Sequence, residues 1–325
     1  MLTLDRVGKT YKVGLFGGKE LRAVRDVSFD LHEGEVVSLI GESGSGKSTI
    51  GKMILRLLAV NDGTITVDGV DVAGLKGAAL KDYYRRVQGV FQDPFSSCNP
   101  IFKVDHLFNV LRDVYFRDLG GGAWQEKQAA SLATVNLEPG QVLHKYPHQL
   151  SGGQVQRLLI ARALMLDTRY LVADEIISML DASTRIDVLN LLGDLKAKGL
   201  GILFITHDLS LGNYISERTL ILRRGRVVEM GPTALVFGNP LHPYTKALLA
   251  AVPQLHDRWG TKGEVAAMWS AGAKLFEEPC PYHAVVPAGP AAAGSAAAAG
   301  IAPALVEIEP GHLVGCRRDP DSGPC

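Results

Sequence analysis

Apolar and polar positions change period several times along this chain, and each change marks an element. Residues 2–31 read as extended segments around a glycine-rich turn, and within them residues 23–31 alternate as a half-buried strand does. Residues 35–40 form a short apolar run that ends in glycines, and residues 48–58 then repeat apolar positions at helical spacing. Short strands at 63–67 and 70–72 flank the Asp68-Gly69 turn, and 87–91 predicts another. Residues 101–150 read as mainly helical with a break at Gly120-Gly121-Gly122. Helix (154–165), strand (170–173), helix (183–196) and strand (202–206) then alternate. This alternation predicts an α/β fold, a mostly parallel sheet with helices on its faces, and the helical stretch at about 101–165 is expected to be a subdomain inserted into it.

After residue 253 the pattern weakens. Residues 287–304 are an Ala/Gly/Pro tract with almost no charge, expected to be a low-complexity linker in a C-terminal appendage, so the chain divides at 1–253 and 254–325. No apolar run approaches the roughly 20 residues needed to span a bilayer, and Asp5, Arg6 and Lys9 interrupt any basic-then-apolar leader. A cytosolic chain is the expectation. Its 325 residues, 46% of them hydrophobic, suffice for a large core. The formal net charge of zero supplies no clustered basic footprint, so a nucleic-acid partner is not expected. Four cysteines (Cys98, Cys280, Cys316, Cys325) do not make a disulfide scaffold in a chain this long.

Three constellations carry chemistry. Gly41-Glu42-Ser43-Gly44-Ser45-Gly46-Lys47-Ser48-Thr49 matches G-x-x-x-x-G-K-[ST] between a strand and a helix. Its glycines let backbone N–H groups turn toward a phosphate, and the helix N-terminus adds positive potential. Lys47 has the reach for β- and γ-phosphates, and the Ser48 hydroxyl suits Mg²⁺. Together these predict binding and hydrolysis of ATP. Leu171-Val172-Ala173-Asp174-Glu175 delivers two carboxylates at the end of an apolar strand, where ligands bind in open α/β sheets. Asp174 is then an Mg²⁺ ligand, through water, and Glu175 the general base for an attacking water; a helix cap and a solvated charge would use the same residues. Leu150-Ser151-Gly152-Gly153-Gln154, before a helix, is a second phosphate-directed device. Two such devices for one γ-phosphate are a mismatch.

In kind and in order, across about residues 2–250, these motifs resemble those of the ABC ATPases, and the resemblance resolves the mismatch. Residues 41–49 are similar to the Walker A loop, 171–175 to the Walker B strand and 150–154 to the signature motif. Gln92, in Phe91-Gln92-Asp93-Pro94, is similar to the Q-loop glutamine, which the family uses to sense Mg²⁺ and to meet the membrane partner. Ser178-Met179-Leu180-Asp181 resembles the D-loop, and His207, in Ile205-Thr206-His207-Asp208, the switch histidine near the γ-phosphate. Tyr11 is the candidate for the aromatic that stacks on adenine, with a packing role as its alternative. The family implies a P-loop NTPase core, an N-terminal antiparallel β subdomain and an inserted helical subdomain. It also implies that Ser151, Gly152, Gly153 and Gln154 face the ATP held by a second chain. Departures from the pattern are Ile176-Ile177 after Glu175, where Pro-Thr is usual, Met179 for Ala, and Val155 for a basic residue. Every named polar group is nonetheless present, so both half-sites are expected to be competent.

Asn239-Pro240-Leu241-His242-Pro243-Tyr244-Thr245-Lys246 and Val90-Phe91-Gln92-Asp93-Pro94-Phe95-Ser96-Ser97-Cys98-Asn99-Pro100 are similar to motifs of the oligopeptide/dipeptide importer branch, with Cys98 where Leu is usual. Gly14-Leu15-Phe16 before Arg22-Ala23-Val24, and Gly46 through Lys52, resemble the second ATPase subunit of that branch. The implied assembly is a heterodimer with a paralogous ATPase, on two membrane permeases fed by an extracytoplasmic solute-binding protein, with this chain peripheral on the cytoplasmic face of the inner membrane. Cargo of the branch includes peptides, oligosaccharides and nickel, and Ile176 through Asp181 resembles members tied to sugar uptake. A soluble ABC protein, an exporter ATPase and an ATP-gated interaction module are the rival readings. Cys280-Pro281-Tyr282-His283 and Pro310 through Cys316 resemble a tail that holds an iron–sulfur cluster in some members. Val286 replaces one expected cysteine and a cluster takes four thiolates, so a metal-free tail is expected.

Overall fold

The chain opens with two long strands, β1 (Leu2–Val13) and β2 (Lys19–Leu31), paired antiparallel. The short strand β3 (Val36–Ile40) follows, and the glycine loop leads from it into helix α1 (Lys47–Ile54). Strands β4 (Asp62–Val67) and β5 (Val70–Asp71) extend the first pair into a four-stranded antiparallel sheet ordered β2-β1-β4-β5. Helix α2 (Gly77–Arg86) and strand β6 (Val87–Val90) come next, then the helical subdomain: α3 (Asp105–Tyr115), α4 (Gly121–Thr134), the single turn α5 (Pro139–Val142) and α6 (Gly152–Leu164). Alternation resumes with β7 (Tyr170–Asp174), α7 (Ala182–Ala197), β8 (Gly201–Thr206), α8 (Leu209–Ile215), β9 (Arg218–Arg223) and β10 (Arg226–Pro232). Helices α9 (Thr233–Gly238) and α10 (Pro243–Ala250) are followed by β11 (Val306–Glu309) and β12 (His312–Val314). The computed structural model describes residues 1–13, 18–252 and 305–315. The 287–304 tract, Gly14-Leu15-Phe16 and the tail cysteines Cys280, Cys316 and Cys325 lie outside these.

The second sheet is ordered β11-β12-β10-β9-β3-β8-β7-β6, with β9, β3, β8, β7 and β6 parallel and the other pairings antiparallel. β3, β7 and β8 are buried at every residue, as parallel strands covered on both faces must be, which is why they read as unbroken apolar runs. Alternate residues serve opposite faces. Leu171, Ala173, Ile202 and Phe204 pack with Leu158 and Leu159 of α6 and with Val188 and Leu192 of α7. Val172, Leu203 and Ile205 pack with Ile50 and Met53 of α1 and with Leu4 and Phe29 of the antiparallel sheet. Ile176, Ile177 and Val155, the departures from the family pattern, are all buried in the first of these cores, whereas Met179 is exposed.

Helix α1 stops a turn earlier than the spacing of apolar residues predicts. Arg56 takes a left-handed φ of 53°, Arg56 N–H donates to the Met53 carbonyl at 3.0 Å, and Leu57 N–H donates to the Lys52 carbonyl at 2.9 Å. This is a Schellman stop built without glycine, held by the Arg56 guanidinium on the Leu75 carbonyl at 2.9 Å. Helix α2 has no counterpart among the predicted elements, since Tyr83 is the one residue it buries. The tail also departs from a simple appendage: β12 pairs with β10, Glu229 opposite Val314 and Met230 opposite Leu313, so residues 306–314 are the last two strands of the main sheet.

Candidate functional site

The parallel strands end side by side, and the loops leaving β3, β7 and β8 meet there. The loop after β3 is compressed against its neighbours. A Cβ at Gly41 would overlap the Leu222 carbonyl oxygen, and Gly46, with φ of 107°, would drive one into the Ala23 carbonyl. Only glycine fits both positions. Glu42, Ser43 and Gly44 are exposed, Ser45 is buried, and Ser48 and Thr49 lie in the first turn of α1. Lys47, 5% exposed, curls back over the loop and donates from Nζ to the Gly41 carbonyl at 2.7 Å and the Glu42 carbonyl at 2.9 Å. Burial pushes its ammonium below the usual lysine range, while the nearby charges of Glu175, Asp174 and Glu42 pull the other way.

Ser48 Oγ donates to Asp174 Oδ1 at 3.1 Å, which ties the loop to the end of β7. Burial pushes the Asp174 carboxyl above the ordinary carboxylate range, and the Ser48 hydrogen bond only partly opposes it. Glu175 leaves the strand in a left-handed conformation, φ 51°. Its N–H donates to the Ile205 carbonyl of β8 at 2.9 Å, and its own carbonyl accepts Ser178 N–H at 3.1 Å in a tight turn. This turn aims Glu175 Oε1 at His207 Nδ1, 3.2 Å away, just past the end of β8. Lys47, Ser48, Asp174, Glu175 and His207 are therefore brought together. Gln92 is exposed two residues beyond β6, which pairs in register with β7 through Val90 and Ala173. Tyr11 is half-buried on β1 opposite Leu21, with Lys9 Nζ 5.7 Å from its ring centre. Two residues past Leu21, Ala23 abuts Gly46.

The 150–154 motif forms its own helix end. Ser151 caps α6 in a reciprocal box, its Oγ accepting Gln154 N–H at 3.2 Å and its N–H donating to Gln154 Oε1 at 3.0 Å. A Cβ on Gly153 would overlap Thr184 Cγ2 of α7. Thr184 cannot rotate away, because its Oγ1 is held by Asp181 Oδ2 at 2.8 Å. The Gly153→Ala variant should therefore lose about 1–3 kcal/mol of stability through overpacking, read as a lower denaturant midpoint; an unchanged midpoint would show that α6 and α7 do not abut here. Asp181 also caps α7, accepting Ser183 Oγ at 2.6 Å and Thr184 N–H at 3.0 Å, and these bonds hold its carboxyl well below the usual range. Several contacts with the loop have no local sequence signal: the Leu222 and Ala23 carbonyls, the Gly225 N–H on the Ser45 carbonyl at 2.8 Å, and Tyr244, whose hydroxyl accepts Glu42 N–H at 3.2 Å from 202 residues away.

An exposed, glycine-shaped loop at a helix N-terminus suits a phosphate, and the hydroxyl–carboxylate pair Ser48–Asp174 is the hard, all-oxygen donor set that Mg²⁺ takes. Among the described residues no group of three or more His, Cys, Asp or Glu side chains is placed to hold a metal, and no helix is long and apolar enough to cross a membrane.

The family profile for the ABC transporter matches residues 24–178, and that for the oligopeptide/dipeptide transporter C-terminal region matches 228–286. A Brucella ovis protein named as a peptide import ATP-binding protein is 38% identical over 307 residues, covering 92% of each chain. The glutathione import ATP-binding protein GsiA of Salmonella typhi is 43% identical over 244 residues, 74% of this chain and 39% of its own length. Among solved structures, the dimeric post-hydrolysis state of the ATP-binding cassette MJ0796 bound to ADP and Pi is similar at 30% identity and a TM-score of 0.64, over 72% of this chain and 99% of that one. With the loop, the paired carboxylates and the helix-end motif on one such scaffold, the chain belongs to the ABC transporter ATPases, in the branch marked by the oligopeptide/dipeptide C-terminal region.

Proposed function

We propose that this chain is the ATP-hydrolysing subunit of an importer for peptides, and that residues 41–49 cradle the phosphates. The observation that carries the site assignment is the Ser48–Asp174 hydrogen bond, which joins the glycine loop to the carboxylate strand at the sheet's C-terminal edge. Lys47 leaves the Gly41 and Glu42 carbonyls for the β- and γ-phosphates. Ser48 and Asp174, with Gln92, would hold Mg²⁺, which when bound would offset phosphate charge. Glu175 orients the attacking water and accepts its proton, and His207 steadies Glu175 and the γ-phosphate. Tyr11 stacks on adenine. Ser151, Gly152, Gly153, Gln154 and Asp181 serve the nucleotide of a paralogous partner chain, so each site is shared.

Removing Lys47 takes away charge-assisted hydrogen bonds of about 1.5–3 kcal/mol, so Lys47→Ala should weaken ATP binding about 10- to 100-fold, measured by calorimetric titration. Wild-type affinity in that variant would refute the cradle. The assembly we propose has two permeases and an extracytoplasmic solute-binding protein, with this chain peripheral on the cytoplasmic face. The relatives named for peptide and glutathione import favour peptides over oligosaccharides or nickel, since the ATPase site itself contacts no cargo. Co-purification with two multi-spanning membrane proteins supports the importer; its absence from gently solubilised membranes returns the chain to the soluble ABC proteins.

A further inference from the structure

A line of hydrogen bonds runs from the C-terminal hairpin to the glycine loop. It begins at Glu229 on β10, which is 0% exposed. Glu229 Oε1 accepts His312 Nε2 of β12 at 2.8 Å and Leu241 N–H at 2.8 Å, and Oε2 accepts His242 N–H at 2.9 Å. One buried carboxylate thereby fixes both the tail hairpin and the start of α10. His242 caps that helix, its Nδ1 accepting Tyr244 N–H at 3.0 Å. Tyr244 is buried, with the Arg223 guanidinium 4.9 Å from its ring centre, and its hydroxyl accepts the Glu42 N–H of the loop at 3.2 Å. The same peptide carries the Gly41 carbonyl, which accepts Lys47 Nζ at 2.7 Å, and the next one carries the Glu42 carbonyl, which accepts Lys47 Nζ at 2.9 Å and Ser45 N–H at 3.2 Å.

We propose that Tyr244 is a positioning residue for nucleotide binding, and that the C-terminal hairpin sets the shape of the phosphate loop through His312, Glu229 and Tyr244. The Tyr244 hydroxyl holds the Glu42 N–H on one side of the Gly41–Glu42 peptide, and the planar trans amide then turns the Gly41 carbonyl to the opposite side, toward Lys47 Nζ at 2.7 Å. Without that hydroxyl the Gly41–Glu42 peptide loses the partner of its N–H, and the lysine and the loop amides lose the arrangement a phosphate needs. The inference rests on the reading of residues 41–49 as the phosphate cradle, which ATP binding to the wild-type chain tests separately.

The experiment is ATP binding to the full-length chain by calorimetric titration, with thermal unfolding of each variant alongside. Tyr244→Phe removes one oxygen and keeps the packed ring. Loss of one neutral hydrogen bond corresponds to about a 3- to 10-fold rise in Kd for ATP, with the thermal midpoint close to wild type. His312→Gln should shift Kd in the same direction by a smaller factor, and the double variant should bind no more weakly than Tyr244→Phe alone, because both act along one path. Wild-type ATP affinity in a folded Tyr244→Phe protein overturns the positioning role. Multiplicative effects in the double variant overturn the coupling to the hairpin.

Discussion

Replacing Glu175 with Gln is expected to slow ATP hydrolysis by about 10²- to 10⁴-fold, the span of a lost general base, while ATP still binds at wild-type affinity. The amide keeps the shape of the side chain and can still meet His207 Nδ1, 3.2 Å from Oε1 in the native chain, but it has no basicity. In the proposed cradle the ground-state contacts to the phosphates come from other groups, Lys47 and the loop amides, so binding should survive. The left-handed turn at Glu175, φ 51°, is anchored by main-chain bonds to Ile205 and Ser178, so the substitution leaves the backbone in place. Phosphate release under saturating ATP measures the loss, and equilibrium titration checks the binding. Turnover within a factor of two of wild type would remove Glu175 from the base role.

The second large effect is on stability. Glu229→Ala should lower unfolding free energy by about 3–5 kcal/mol, because it leaves three buried donors, His312 Nε2, Leu241 N–H and His242 N–H, without their acceptor. Glu229→Gln, which retains one acceptor oxygen, should lose less. Urea unfolding monitored by circular dichroism gives both values. A wild-type midpoint for Glu229→Ala would mean that the hairpin and α10 are held by something else.

What the sequence made legible follows the range over which each feature is determined. β3, β7 and β8 were readable because strands covered on both faces must be apolar at every residue. The glycine loop was readable because its chemistry is contiguous, and Asp174 and Glu175 because they end an apolar strand; His207 was legible only through the resemblance to the family's switch histidine. Helix α2 was not legible: it is short and largely exposed, and its stripe of Leu80, Tyr83 and Tyr84 is narrow, with Tyr83 alone fully buried. The early end of α1 was hidden because Arg56 takes a conformation usually left to glycine or asparagine. Nothing local in the sequence marks Glu229 as buried, and its partner His312 lies 83 residues further on. Tyr244 stood in the sequence as a family marker, and nothing local announces that its hydroxyl reaches Glu42.

The pairing of β12 with β10 also bears on how the cassette avoids its own copies. A seven-residue strand with one side open would offer a row of unpaired N–H and C=O groups to any other chain. Here the outermost position falls instead to β11, only four residues long and carrying Glu307 and Glu309, a poor template for recruiting another strand. Glu307 is further occupied by Gly311 N–H at 2.6 Å, and Glu309 by Asn239 Nδ2 at 2.9 Å. A fragment cut near residue 253, where the sequence pattern invites a boundary, would uncover β10 and strand the Glu229 carboxylate beside it. Such a fragment would be prone to aggregate through that edge, so residues 305–315 belong with the ATPase in purification and in any transplant onto other machinery.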